Sequence, residues 1–152
     1  MSDLPAYERE HLLSKNMQPL GPTPWAGTGK PVASMRIALI TTAGLHSRDD
    51  ASFELADAGF RPIPVEANAG DLVMSHSSAN FDRSGFQEDV NLVYPIDRFR
   101  ELAGSGAIGS LASVHYSFMG AGLLPQAYEH SARQVAGLLK QDQVDAVFLT
   151  PV

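Results

Sequence analysis

The sequence predicts an α/β domain of three layers around a mostly parallel sheet, preceded by an N-terminal arm rich in proline and glycine. Short apolar runs with β-branched residues recur from Met35 onward, which is typical of strands covered on both faces. Helical patterns lie between some of these runs. Five of the ten prolines fall within residues 1–34, where the loss of backbone donors disfavours regular structure. We therefore predict an arm over residues 1–34 and an α/β domain over residues 35–152.

The elements follow in order along the chain. The arm has room for one short helix over residues 7–16, and Trp25 either pins the arm onto the domain or a partner, or packs locally. The first strand is the apolar run 37–42. Further strands are predicted at 63–65, 72–75, 91–94, 114–118 and 144–149, the last as a buried strand. Helices are predicted at 97–103, with Asp97 as its cap, and at 125–140. Alternation of strands with helices favours a parallel sheet.

Composition narrows the classes of function. A chain of 152 residues with a net charge of -6 is about one domain, and its acidity disfavours nucleic acid as a partner. It has no run of 18 apolar residues and no signal-peptide pattern, so we expect no membrane partner and a cytoplasmic location. Cysteine is absent and the five histidines are scattered. Sequence spacing therefore indicates no disulfide, no thiolate nucleophile and no metal site.

The first cluster of candidate functional residues follows the first strand. Ligands of α/β proteins collect beyond the carboxyl ends of strands. Thr41, Thr42, Gly44 and His46 lie at such a point, and their hydroxyls, ring and backbone donors suit a small ligand. A solvated loop explains the same residues equally well.

A second cluster follows the strand predicted at 72–75. Ser75, His76 and Asp82 belong to a nearly non-aliphatic stretch that suits substrate orientation or proton transfer. Asx and Ser turns use the same residue types to satisfy loop backbone, so function and scaffold have equal weight. Met119 and Gly120 form another strand exit, suited to lining a pocket or to making a turn. His115, alone among apolar neighbours, is expected to be a hydrogen-bonded core residue.

Several of these stretches resemble one known family. The matching residues are 37–46, 76–82, 95–98, 115–120 and 149–152. In this order they are similar to the selenoprotein B family of glycine, sarcosine, betaine and D-proline reductases, and most similar to its short, D-proline-reductase-like branch. The resemblance covers nearly the whole chain from about Trp25 onward.

The resemblance implies a chemistry and a missing nucleophile. In the family, the segment matching Thr150, Pro151 and Val152 leads directly to selenocysteine, whose UGA codon is commonly taken as a stop. We therefore expect this chain to be the amino-terminal part of a selenoprotein, incomplete at its C-terminus. The implied reaction is reductive cleavage of a carbon–nitrogen bond in a small amino-acid-like substrate by a selenolate. A dithiol or thioredoxin-like reductant is implied, together with a possible partner reductase subunit that carries a pyruvoyl group.

The resemblance also implies roles for matching residues. His46 and His76 would be catalytic, steering protons or stabilising the selenolate as imidazolium, and Asp82 would orient a histidine or hold the substrate amine. The substrate pocket would be shaped by Thr41, Thr42, Gly44, Ser75, Met119 and Gly120.

Two other functions remain open on the residues alone. A non-catalytic α/β module or subunit that binds a small molecule is favoured by the absence of cysteine. An α/β enzyme that uses only His and Asp, like some racemases, is the third possibility.

Overall fold

A computed structural model describes residues 3–14, 21–22, 26–27, 29–79 and 81–152. Within the arm, the predicted short helix is observed as α1 (Ala6–Ser14), which buries none of its side chains. Residues 15 and 16 of that prediction, and the packing of Trp25, lie outside the described residues. In the part of the chain that the structure describes, no helix has the length and apolar character needed to cross a membrane.

The main sheet confirms the predicted α/β class. Its central strand β1 (Arg36–Thr41) pairs in parallel with β7 (Ala146–Thr150) along one edge. Along its other edge β1 pairs in parallel with two consecutive strands, β5 (Ser110–Leu111) and β6 (Val114–Phe118). The far strand β3 (Phe60–Pro64) is antiparallel to β6. Because β3 is an edge strand, it tolerates two prolines that would break a central ladder.

His115 fills a gap in this sheet. β1 pairs with β5 at Arg36 and Ile37 and with β6 only from Ile40 onward. Between these points the N–H of Leu39 donates to Nδ1 of His115 at 3.0 Å, so the imidazole replaces a missing ladder bond. The ring is fully buried. The prediction that His115 is a hydrogen-bonded core residue is confirmed.

The two faces of the sheet are covered by different helices. Residues of β1 with odd numbers, such as Ile37 and Leu39, belong to a buried cluster that includes Phe99 of α3 (Ile96–Gly104). Ile40 packs on the other face with Val135 of α4 (Glu129–Gln141). Because side chains alternate across a strand, β1 contributes to both cores, and the three predicted layers are observed.

The helix prediction for residues 97–103 is confirmed as α3, but the helix is capped differently from the prediction. No side chain of the residue preceding α3 caps it. Instead, Oδ1 of Asn91 accepts the N–H of Asp97 at 3.0 Å. The prediction for 125–140 is observed as a 3₁₀ turn over Pro125–Tyr128 that continues into α4.

The strand predicted at 91–94 is wrong. Residues Val90–Leu92 form a 3₁₀ turn, because the carboxylate of Asp89 accepts the N–H of Asn91 at 2.8 Å and curls the chain. Val93 and Tyr94 are buried core residues. Burial in a non-strand segment explains the apolar character of these residues as well as a buried strand would. The sequence pattern does not distinguish the two.

A small second sheet lies beyond the end of β1. It consists of β2 (Leu45–Ser47), paired antiparallel with β4 (Leu72–Met74). The strand predicted at 72–75 is thus present but outside the main sheet. β2 and the short helix α2 (Ser84–Glu88) were not predicted, since each is too short to show a periodic pattern.

The prediction of a last strand is confirmed, but its predicted burial is wrong. In β7, the side chains of Phe148 and Leu149 are 43% and 65% exposed. Phe148 rests against Phe99 of α3, with ring centroids 4.9 Å apart, and Leu149 lines a groove under α4. As an edge strand hydrogen-bonded to β1, β7 is covered only in part.

Candidate active site

Three strand exits meet around Thr42, at the edge where the carboxyl ends of β1, β6 and β7 converge. The N–H of Val152 donates to Oγ1 of Thr42 at 2.9 Å, and the N–H of Thr42 donates to the carbonyl of Thr150 at 3.1 Å. A Cβ added to Gly120 would lie 2.6 Å from both Cβ and the carbonyl oxygen of Thr42. Only glycine permits this approach, so the sequence brings β6 and β7 together over the end of β1.

Gly44 attaches the second predicted cluster to the same edge. Its N–H donates to the carbonyl of Phe118 at 2.8 Å, and its own carbonyl accepts the N–H of Ser75 at 2.9 Å. Its φ is +67°, and an added Cβ would lie 3.0 Å from the backbone nitrogen of His76. The structure thereby places Thr42, Gly44, Ser75, His76 and Gly120 together at one edge, and their roles in binding or catalysis stay predictions.

His46 and Ser75 form a hydrogen-bonded pair. Nδ1 of His46 lies 2.8 Å from the carbonyl of Ser47, and because a carbonyl only accepts, Nδ1 carries a proton. In the neutral ring, Nε2 at 2.8 Å from Oγ of Ser75 therefore accepts the serine hydroxyl. The imidazole is buried and contacts the hydroxyl of Ser75, and its catalytic role stays a prediction.

The imidazole of His76 is buried beside the same edge. Its side chain packs on Phe81, with ring centroids 4.9 Å apart, and Nε2 has no hydrogen-bond partner among the described residues. Burial lowers the pKa of His76, and the charge of Arg83 lowers it further. These surroundings favour the neutral ring and disfavour the imidazolium expected from the sequence. The catalytic role of His76 stays a prediction.

Asp82 lies in a local turn. Its carboxylate accepts the N–H and the hydroxyl of Ser84 at 2.9 and 2.7 Å, and these bonds hold the pKa of Asp82 below its usual value. The carboxylate is therefore ionised at neutral pH. Its hydrogen bonds reach Ser84 rather than His46 or His76, and its role toward a histidine or a substrate amine stays a prediction.

The remaining predicted residues divide between scaffold and lining. Thr41 is buried, and its hydroxyl accepts the N–H of Ala43 at 3.1 Å, so in this structure it shapes the turn after β1. Met119 is also buried, and its sulfur accepts the hydroxyl of Ser77 at 3.0 Å. The buried hydroxyl of Thr150 has no hydrogen-bond partner in the described part of the chain. A hydroxyl of this kind can bind an incoming polar group.

An apolar groove of about 470 Å³ opens from this edge between α4 and the sheet. Thr42 and Gly120 belong to both the groove and the edge. The other lining residues are Ile40, Phe118, Leu123, Pro125, Tyr128, Ala132, Val135, Ala136, Leu139 and Leu149. The helical apolar pattern after Pro125 indicated these α4 residues, but a pattern alone does not show that the face stays open.

Arg83 is the functional candidate that the sequence reasoning missed. Its Nη2 donates to the carbonyl of His76 and, at 3.4 Å, to the carbonyl of Ser78. In the sequence, the only indication of a role for Arg83 is its positive charge at the end of the polar stretch 75–83. As for metals, the described residues contain no group of three or more His, Cys, Asp or Glu placed to hold an ion.

Fold and site together define a three-layer α/β domain with a candidate small-molecule site at the carboxyl edge of its parallel strands. A family model described as glycine/sarcosine/betaine reductase selenoprotein B matches residues 22–152. The chain belongs to this family of reductase components. No solved structure matches it.

Curated relatives carry related names. The chain is 38% identical to D-proline reductase subunit gamma of Acetoanaerobium sticklandii over 99% of its own length and 62% of that protein. It is 30% identical to glycine reductase complex component B subunit gamma of Symbiobacterium thermophilum, covering 80% of the chain and 29% of the relative. It is 27% identical, with the same shares covered, to betaine reductase complex component B subunit beta of Peptoclostridium acidaminophilum. The chain thus spans less than two thirds of the length of each of these relatives.

Proposed function

We propose that this chain is the amino-terminal part of a selenocysteine-dependent reductase that cleaves the carbon–nitrogen bond of a small amino acid or derivative. The selenolate nucleophile would belong to the residue directly after Val152. Membership of the selenoprotein B family supports the reaction class. The match to D-proline reductase subunit gamma over 99% of the chain supports a substrate of the proline type.

The observation that carries this proposal is the attachment of Val152 to the edge of the sheet. Its N–H binds the hydroxyl of Thr42 at 2.9 Å, and Thr42 also contacts Gly120 and the backbone of Thr150. A residue added after Val152 would therefore begin at the point where strand exits present ligand-binding groups.

A selenolate would supply a soft nucleophile that is anionic at neutral pH, by the same logic that applies to thiolates. The chain itself would supply polar partners at this edge. Nε2 of His76 and the hydroxyl of Thr150, which have no hydrogen-bond partner among the described residues, would exchange or donate a proton toward a developing charge. Ser75, held by His46 at 2.8 Å, would present its hydroxyl oxygen to the substrate.

The electrons and the activation of the substrate would come from outside this chain. Reduction needs two electrons, which we assign to a dithiol or thioredoxin-like protein. The relatives are named as subunits or complex components, and this supports a partner reductase subunit. We assign to that partner the pyruvoyl group that would activate the amine.

A non-catalytic binding module is the second candidate for the 152-residue chain. The sequence contains no cysteine, so these residues alone hold no sulfur nucleophile. Under this alternative the same edge would bind a small amino acid without turnover.

Mass spectrometry of the native gene product, together with the DNA beyond the codon for Val152, tests the proposal. We expect an in-frame UGA followed by further coding sequence and a longer, selenium-bearing protein. Together with its partner subunit and a dithiol, that protein should reduce D-proline or an N-methylated glycine. A native product that ends in the carboxylate of Val152 and contains no selenium would overturn the proposal. Tight amino-acid binding with no turnover by the longer protein, even with the partner subunit and dithiol present, would favour the module.

A further inference from the structure

We propose that Arg83 binds the carboxylate of the amino-acid substrate and so determines which molecules enter the site. This inference rests on the proposed function for its class of substrate. The inference gives the loop between β4 and α2 a role in substrate recognition. Neither the family match nor the names of the relatives identify a residue for that role.

The position of Arg83 connects it to the candidate site. Its Nη2 donates to the carbonyl of His76, and the backbone of His76 lies against Gly44, close enough that an added Cβ would be 3.0 Å away. Gly44 in turn is hydrogen-bonded to Phe118, at the exit of β6. A short series of contacts therefore links the guanidinium, through His76 and Gly44, to the edge where Thr42 holds Val152.

The guanidinium retains donors for a ligand. Arginine has five N–H donors, and the bonds of Arg83 to His76 and Ser78 both use Nη2. Nε and Nη1 have no hydrogen-bond partner among the residues that the structure describes. The residue is exposed, so a small anion from solvent can reach these donors. A carboxylate matches two such donors in a bidentate arrangement.

The other arginines of the sheet and of its covering helices already have acidic partners. Ion pairs join Arg36 to Asp142, Arg61 to Asp57, Arg98 to Glu101, Arg100 to Asp97 and Arg133 to Glu129. Arg83 has no carboxylate partner in the described part of the chain. In a protein with a net charge of -6, a cation without an acidic partner beside the site is the group that would attract an anionic substrate.

The chemistry of the substrate class supports a carboxylate subsite. Glycine, sarcosine, betaine and D-proline, which appear in the names of the family and its relatives, share one carboxylate. They differ at nitrogen, and D-proline differs also at the α-carbon. A residue that binds the shared group suits all of them. The neighbouring Asp82 is ionised, because bonds from Ser84 lower its pKa, and it would attract the amino end of the same zwitterion.

Calorimetric titration of the longer protein, without reductant, with D-proline and with D-prolinamide, which lacks the carboxylate, tests this inference. We expect Arg83→Gln to weaken D-proline binding roughly tenfold or more, as for loss of a hydrogen bond between charged groups. Binding of D-prolinamide should change by less than about twofold, on the same reasoning. Arg83→Lys should retain part of the affinity for D-proline. The control Arg133→Gln, at an exposed ion pair of α4, should change neither ligand.

Three results would overturn the inference. The first is equal loss of both ligands in Arg83→Gln and Arg83→Lys, since Arg83 would then only hold the loop through the carbonyls of His76 and Ser78. The second is unchanged D-proline binding in both variants. The third is the absence of D-proline binding by the unaltered longer protein. Binding that depends on Arg83, without turnover by the longer protein in the presence of the partner subunit and dithiol, would instead contradict the reductase proposal alone.

Discussion

His115 should make the stability of this protein fall in mild acid, and the variant His115→Gln should remove that dependence. Nδ1 of the buried ring accepts the N–H of Leu39 where the ladder between β1 and β6 is interrupted. Protonation would convert this acceptor into a donor and place a charge in the core. Burial, with the smaller effect of Arg100, lowers the pKa of His115 from 6.5 to about 4.

The magnitude follows from this difference in pKa. The unfolded chain takes up a proton at His115 below pH 6.5, whereas the folded chain does so only below about pH 4. Stability from the neutral ring is therefore complete above pH 6.5 and is lost as the pH falls toward 4. The gap of 6.5 − 4 = 2.5 pH units corresponds to about 3.5 kcal/mol, at roughly 1.4 kcal/mol for each unit.

Urea unfolding followed by circular dichroism at several pH values between 4 and 8 measures this effect. His115→Gln keeps an acceptor oxygen for Leu39 but cannot titrate, so its free energy of unfolding should fall less between pH 7.5 and 4.5. Because acidic groups titrate in both proteins, only the difference between the two curves is informative. His130→Gln, on the exposed surface of α4, is the matched control. Parallel curves for the unaltered protein and His115→Gln would refute the reasoning.

Two further predictions concern the edge of the sheet. Gly120→Ala should destabilise the protein by more than about 1 kcal/mol, because φ is +73° and the new Cβ would lie 2.6 Å from Thr42. Gly137→Ala, in α4 with nothing within 4 Å of the added Cβ, should instead stabilise the protein by roughly 0.5–1 kcal/mol. Melting temperatures measure both effects. A change of melting temperature in the same direction for both variants would contradict this reasoning. Ser75→Ala should shift the ¹⁵N NMR signal of Nε2 of His46 by removing its 2.8 Å hydrogen-bond donor, whereas an unchanged signal in Ser75→Ala would show that the pair is not formed. Ser77→Ala, whose hydroxyl contacts Met119, should leave that signal in place.

The fold was predictable where periodicity and burial agree. The apolar run that became β1 packs one set of side chains toward α3 and the other toward α4, and a run apolar on both faces indicates this arrangement. The segment 91–94 is equally apolar, but Asp89 binds the N–H of Asn91 and makes a turn. A local hydrogen bond of this kind competes with strand formation and is not visible in hydrophobicity.

The sequence predicted which strand exits contribute to the candidate site, but not how the side chains there are hydrogen-bonded. The polar residues after β1, β4 and β6 do meet, and Gly44 and Gly120 make their approach possible. That His46 contacts Ser75 through Nε2 and the backbone through Nδ1 depends on β2, a strand of three residues. The anchoring of Arg83 to the carbonyl of His76 depends on loop conformation, which composition does not determine.

β1 organises both the core and the candidate site. Its alternating side chains join the two cores, and its ladder with β7 runs in register from Ile37 to Thr41. The next residue, Thr42, accepts the N–H of Val152 and limits the approach of Gly120. The position of the segment that leads to the proposed nucleophile therefore depends on the same register that fills the core. A one-residue slip of β7 would exchange its two faces, exposing Phe148 on the wrong side and moving Val152 away from Thr42. Packing of β7 thus selects against a one-residue slip, which would misplace the site.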